Sequence, residues 1–294
     1  MITASSHWRT LALATVAASA LTACNTESSG GTGNLSMNIT DAAVDSAEKV
    51  VVEFTAISIK HEGESAQQFD FSEPRSIDLL ALHGDVSDSL LDEETVTAGR
   101  YEWVRLHVNA VKGETDSYIE LEDGSVHSLF VPSGAQTGLK LVSGFEVPVN
   151  GSASFTIDFD LRKSVVAPPG QGDYFLKPAL RLVDNSEIGH IAGTVDESLY
   201  CEGESNAVYV FEGHDATPID VNTNRDDNPV TTAMVDFDDG AYRFTVGFLT
   251  EGDYTLAFTC DAADDDPEAD DTLDFSATLN TDVTPGETTE ATIE

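Results

Sequence analysis

Asp158-Phe159-Asp160-Leu161-Arg162-Lys163 sets two acids at alternate positions directly before two bases. Two carboxylates two positions apart on an extended strand share a face and stand about 7 Å from each other, within the range glycosidases use. Glycosidase pairs, however, flank a cleft from separate elements, and here one strand carries both acids with two cations directly behind them. The arrangement predicts a cross-strand ion-pair ladder with Lys177 or Arg181 rather than catalysis.

Other constellations fail on their own chemistry. Asp220, Asn222 and Asn224 put oxygen ligands at alternate positions as a calcium loop would, but Arg225 and Thr231 stand where an EF-hand needs Gly and Glu. Asp264-Asp265-Asp266-Pro267-Glu268-Ala269-Asp270-Asp271 could gather divalent cations diffusely, and a run of like charge predicts a solvated loop. Ser46-Ala47-Glu48-Lys49 spells the S-x-x-K of serine β-lactamases without the partner motifs that chemistry requires. His61, His83, His107, His127, His190 and His214 are scattered singly, without metal-ligand spacing. No catalytic, cofactor-binding or metal-binding residue is assigned, and no cofactor is expected.

Composition narrows the partners. Asp and Glu outnumber Lys and Arg 53 to 14, for a formal charge of −39. Nucleic acid, whose phosphates need Lys/Arg neutralisation, is excluded as a partner. With 40% hydrophobic residues the chain is not a disordered polyacid. The carboxylates read as a hydrated surface suited to salty surroundings, where screening shortens their mutual repulsion.

Residues 1–23, MITASSHWRTLALATVAASALTA, place a basic Arg9 before an uncharged run of small apolar residues, the layout of a secretory signal peptide. The run is too short for a membrane span, which needs roughly 20 apolar residues. Leu21-Thr22-Ala23-Cys24 resembles the lipobox of bacterial lipoproteins. The resemblance implies a diacylglycerol on the Cys24 sulfur and an acyl chain on its freed amine, together enough for stable anchoring. A plain signal peptide with a stray cysteine is the rival reading. Asn25, rather than Asp, after the cysteine implies delivery to the outer membrane, and residues 24–33 read as a lipidated flexible tether. An exported chain meets an oxidising compartment, so the remaining Cys201 and Cys260 are expected to form a disulfide, with two free buried thiols as the alternative.

The elements that must carry these residues are strands. Alternation at period two recurs and helical periodicity is nearly absent. Phe155, Ile157, Phe159 and Leu161 share one face, with Thr156, Asp158 and Asp160 on the other, which predicts a strand with one buried face. In Val50 to Lys60, Val52, Phe54, Ala56 and Ile59 fall near one phase, and Tyr101 to Val108 alternates with a central slip. Only Ile77 to Leu91 could hold a short helix or two turns.

The segments LSMNITDAAVD (35–45), VVEFTAISIKHEG (51–63), IDLLALHG (77–84), AGRYEWVRLHV (98–108), FVPSG (130–134), FTIDFDLRKSVV (155–166) and YFLKPALRLV (174–183) resemble, in order, the bacterial domain of unknown function 4382. Ala43 departs from the Pro expected after the "TDA" turn. The resemblance implies a β-sandwich-like export domain over 34–186 and brings no activity with it. From 187 to 294, IAGTV (191–195), AVYVFEG (207–213) and the L-x-x-G-x-Y-x-L hairpin from Leu249 to Leu256 resemble the carboxypeptidase regulatory-like, transthyretin-type sandwich, usually a spacer or interaction module. Strands recurring about every ten residues predict seven strands in this part.

The whole reads as an all-β, non-enzymatic envelope lipoprotein: two tandem β-sandwiches on a lipid anchor at the outer membrane, facing the periplasm or the outside, offering edges and loops to a protein or glycan partner. A calcium-assisted adhesin or carbohydrate binder is the second reading, and an enzyme on an unrecognised site the third.

Overall fold

The computed structural model describes residues 31–294 apart from 43–46, 169, 171 and 226. The signal segment, Cys24 and most of the tether lie outside the described residues, as do Ala43 and Ser46. In chain order the first unit contains β1 (Thr32–Ala42), β2 (Ala47–His61), β3 (Ala66–Asp78), β4 (Asp88–Thr97), β5 (Gly99–Val108), β6 (Tyr118–Leu121), β7 (Val126–Phe130), β8 (Leu139–Leu141), β9 (Phe145–Val147), β10 (Ser152–Asp160), the helical turn α1 (Leu161–Ser164), β11 (Val165–Val166), β12 (Tyr174–Leu176) and β13 (Leu180–Asp184). The second contains β14 (Ile188–Val195), β15 (Ala207–Glu212), β16 (Thr231–Met234), β17 (Asp236–Asp238), β18 (Ala241–Thr250), β19 (Gly252–Thr259), β20 (Phe275–Val283) and β21 (Thr288–Ile293). Thr32 and Gly33, expected in the tether, belong to β1. A 3-10 turn at Leu79–Leu82 occupies the one stretch where helix was expected.

The fold is all-β, in two tandem sandwiches. In the first, a layer ordered β13, β10, β1, β4 faces a layer ordered β11, β12, β7, β6, β2, β5, β8, with β3 added to β2 and β9 to β5. Leu35, Met37 and Ile39 of β1, Ile157 and Phe159 of β10, and Val52, Phe54, Ile57 and Ile59 of β2 meet in the core between them. Ala56 does not share that face. The β2 register shifts between Phe54 and Ala56, and this bulge hands the inward phase to Ile57 and Ile59. A second shift opposite Lys60 and His61 accounts for the slip in β5, where Tyr101 and then Val104, Leu106 and Val108 point inward.

The second unit stacks the order β17, β18, β14, β21 on the order β16, β15, β19, β20. Eight strands stand among its described residues where spacing predicted seven. Ile191, Phe244, Val246 and Ile293 meet Val208, Val210, Leu256 and Phe258 across the core. β15 is apolar from Ala207 to Phe211 and buried on both sides, because Val221 and Ala262 from two loops cover its outer face.

Each unit turns from one layer into the other through the same joint. Thr97-Ala98-Gly99-Arg100-Tyr101 leads from β4 to β5, and Thr250-Glu251-Gly252-Asp253-Tyr254 leads from β18 to β19. Each tyrosine hydroxyl donates back to the threonine carbonyl four residues earlier, at 2.7 Å in the first unit and 2.8 Å in the second. The L-x-x-G-x-Y-x-L stretch is therefore a corner between sheets, not a hairpin within one. Burial pushes the Tyr101 phenol up to about 12. Cys201 and Cys260 are joined in a disulfide with their Cα atoms 6.0 Å apart.

Candidate functional site

The charged residues singled out in the sequence converge on the seam between the two sandwiches. β10 places Asp158 opposite Arg181 of β13, and the two pair at 2.5 Å. This is the ladder the spacing predicted. Its Thr156 and Asp158 are nevertheless buried, so the strand has two covered faces rather than one. Val230 of the second unit lines the same cleft as Asp158 and Arg181, and burial pushes the Asp158 carboxyl up against the opposing pull of Arg181.

Asp160 ends β10 and caps α1, its carboxylate accepting from the Lys163 amide at 3.2 Å while pairing with the Lys163 ammonium at 2.7 Å. Just past that cap, Arg162 reaches the second unit. Its Nη1 donates to the Tyr209 hydroxyl at 3.2 Å and the Ala262 carbonyl at 3.2 Å, and meets the Asp265 carboxylate at 3.4 Å. Tyr209 in turn donates to the same Asp265 oxygen at 2.5 Å. The side chains of Arg162 and Asp265 are only 6% and 0% exposed. Desolvation pushes Asp265 above the ordinary carboxylate range, with Tyr209 and Arg162 pulling the other way.

Lys177, the other predicted partner of the β10 acids, pairs instead with Glu268 across the seam at 3.0 Å. Val183, Ile188 and Phe248 form a small apolar cluster at the link. The link itself is a turn, with Ser186 bonded to Asp184 and Asn185 bonded back to Ser154 and Thr156. Where β18 passes the first unit, a Cβ on Gly247 would overlap the Gly84 carbonyl, so the backbones meet at a separation only glycine permits.

The two acidic loops are not independent solvated segments. Val221 donates to Asp265, Thr223 to the Pro267 carbonyl, Asn222 to Ala269 and Asp270, and Asp271 to Asp220. Asp265 is turned inward because these loops roof β15. Asp220, Asp265 and Asp271 bring carboxylate oxygens within 4.8 Å of one another, the donor set of a cation site. Two guanidinium groups already supply the positive charge. Arg225 holds Asp220 at 2.6 Å and Asp270 at 3.3 Å, and Arg162 holds Asp265. Burial opposes ionisation of Asp220, but the Asp271 amide and Arg225 together keep its carboxyl below the usual range.

The histidines stay apart from one another, but the fold brings His214 to Asp282 at 3.0 Å and close to Asp253, all three exposed. Lys49 of the S-x-x-K stretch lies on β2, paired with Glu120, and not at a helix start. Two clefts of about 460 and 320 Å³ open along the seam; Arg162 and Asp265, already bonded to each other, line the smaller. Sequence reasoning missed Arg162 as a cross-unit pin. Asp160 three residues before Lys163, the spacing of an N-cap, was the available signal, together with the unbroken apolar run of β15, which had to be roofed by something.

No curated protein matches the sequence. Among solved structures, the minor pilin of Streptococcus agalactiae is 11% identical, with 88% of this chain and 94% of that one covered and a TM-score of 0.20. The Bacillus anthracis TIE protein is 13% identical at a TM-score of 0.21, over 89% of this chain, which spans only 34% of that protein's length. The major pilin subunit of Bacillus cereus is 11% identical at 0.22, over 90% and 70%. The model of a domain of unknown function, DUF4382, matches residues 32–178, which run from the first residue of β1 to just past β12. That match takes in half of the sequence, and the chain belongs to the DUF4382 family.

Proposed function

We propose that the protein is a non-enzymatic, lipid-anchored envelope protein that holds two β-sandwiches in one fixed orientation as a binding or structural unit. The observation that carries this reading is the fate of the acid and base groups. Asp158, Asp160, Arg162, Asp220 and Asp265, the residues best placed to do chemistry, are each held in an ion pair, and the Arg162–Asp265 pair ties the two units together. A catalytic acid or base has to reach a substrate, and each of these groups is already engaged by an opposite charge, with Asp265 and Arg162 buried as well. A calcium-assisted version is disfavoured by Arg225 and Arg162, which fill the role a cation would take among the loop carboxylates.

Anchoring rests on Leu21-Thr22-Ala23-Cys24 and its resemblance to the lipobox. In cells, Cys24→Ser is expected to move the protein from the outer-membrane fraction to the soluble periplasmic fraction or to leave it unprocessed. Retention of the variant in the membrane fraction would contradict the anchor. Turnover of a hydrolase substrate that Asp158→Asn abolishes would contradict the non-enzymatic reading.

A further inference from the structure

The outer face of the larger layer in the first unit carries an arrangement that the seam does not explain. Trp103, Arg105 and His107 alternate along β5 with the buried Val104 and Leu106, so the three project from the side away from the core. Cross-strand partners extend the row: Gln68 of β3 lies opposite Ser58 of β2, Ser58 opposite Arg105, and Arg105 opposite Lys140 of β8. Three inter-strand spacings make this row about 14 Å wide.

Like charges directly opposite on neighbouring strands destabilise a sheet. Arg105 and Lys140 are such a pair, in a chain with 53 acidic residues available to separate them. Among the described residues neither forms an ion pair, and Nε of Arg105 is buried with no hydrogen-bond partner. Both cations lean instead over the Trp103 ring, Arg105 at 5.1 Å and Lys140 at 4.6 Å from its centroid. His107 is held below its ordinary pKa, first by burial and then by the Arg105 charge, and its Nε2 lies 2.8 Å from the Ser58 hydroxyl. The face thus offers two cations that form no ion pair, a partly exposed indole and the exposed Gln68 amide, on a rigid sheet; its one nearby carboxylate, Asp70, accepts from Gln68 at 2.6 Å and pulls the His107 pKa back up.

We propose that this face binds an acidic glycan, with a sugar carboxylate between Arg105 and Lys140 and a neighbouring sugar hydroxyl at the exposed Gln68 amide. A guanidinium and an ammonium side by side over one indole suit one carboxylate. The overall charge of −39 repels densely charged polymers, so the fitting ligand carries its charges sparsely, with neutral sugars between the acidic ones. The same charge disfavours an anionic lipid surface. This inference rests on reading the protein as a binding module and names its partner. It does not require the lipid anchor.

The chain contains two tryptophans, Trp8 and Trp103, so a Trp8→Phe chain reports on this face alone. Titrated with an oligosaccharide of alternating glucuronate and N-acetylglucosamine, its emission is expected to change and saturate. The carboxyl-reduced, neutral form of the same oligosaccharide is expected to bind at least tenfold more weakly. An Arg105→Gln/Lys140→Gln chain, checked for native circular dichroism, is expected to lose at least tenfold in calorimetry, and Lys140→Gln alone, at an exposed position, several-fold. Absence of binding at millimolar oligosaccharide, equal binding of the neutral form, or binding unaffected in both variants would overturn the proposal. Tighter binding of phosphatidylglycerol vesicles or of poly-glutamate, with the same dependence on Arg105 and Lys140, would assign the face to a lipid or a peptide and overturn it equally. A Cys24→Ser protein that stays in the membrane fraction yet binds the oligosaccharide would remove the anchor reading and leave this one standing.

Discussion

Arg162 shows what burial does to the worth of a charge. Removing one member of a buried pair leaves the other desolvated and uncompensated, which costs about 3–5 kcal/mol, whereas replacing both with apolar groups is often neutral. Arg162→Met is therefore expected to lower stability by about that amount in chemical denaturation, and Arg162→Met/Asp265→Leu to recover most of it. Equal losses in the single and double variants would contradict the pairing. Asp265 adds a pH dependence. Its carboxyl is raised in the folded protein, so the folded state takes up a proton before the unfolded chain does. Its contribution is fully present below the ordinary aspartate pKa of about 3.9 and is lost as pH rises through the higher folded value. The stability difference between the native chain and Asp265→Asn should be most favourable to the native chain at acid pH and shrink toward neutrality. A difference that grows with pH would reverse the sign. The sequence made Asp158–Arg181 legible because both partners sit at matching positions of regular strands. It hid Arg162–Asp265 because that pair joins a helical turn to a loop about a hundred residues away, a separation no local period encodes.

At the level of elements, alternation identified the strands wherever polar and apolar residues alternate with the period unbroken, as in β10 up to Phe159, even though its polar face is covered as well. It lost phase at the two bulges, where one extra residue moves Ala56 out of the core face and brings Ile57 in. It also took a corner for a hairpin, since Leu249 to Leu256 has the turn composition of both. What separates the two is the tyrosine hydroxyl, which reaches back to the threonine carbonyl only if the chain crosses between layers. Losing a buried hydrogen bond that leaves one partner unsatisfied costs about 1–3 kcal/mol. Tyr254→Phe is expected to fall in that range, and Tyr101→Phe likewise, because the two joints have the same geometry. Thermal denaturation of the two variants checks this, and a neutral effect at both would mean the corner is held by packing alone. In the acidic run, Asp264, Asp266, Glu268 and Asp270 are exposed, as charge predicts. The exceptions are Asp220 and Asp265, drawn inward because the apolar outer face of β15 needed a cover and Val221 and Ala262 supply it.

For the molecule as a whole, the seam, the roofed β15 and the disulfide act on the same region. Cys260 lies two residues before Ala262, whose carbonyl accepts from Arg162, so the crosslink steadies the segment that receives the pin. Closing a loop over a separation of 59 residues contributes up to about 4 kcal/mol in the chain-entropy model. The surface charge works against the fold. With 53 acidic and 14 basic residues, self-repulsion weakens as the screening length falls from about 10 Å at 0.1 M salt to about 3 Å at 1 M. The thermal midpoint is expected to rise across that range, and a fall would show that exposed ion pairs outweigh the repulsion. The second sandwich carries one more consequence in its strand order. Its first and last strands, β14 and β21, lie side by side and parallel from His190–Thr288 to Val195–Ile293. Tension entering at the leading end of one and leaving at the trailing end of the other would slide the two past each other and strain all the rungs between them at once. Loaded that way, the module would resist in shear and yield abruptly rather than peel.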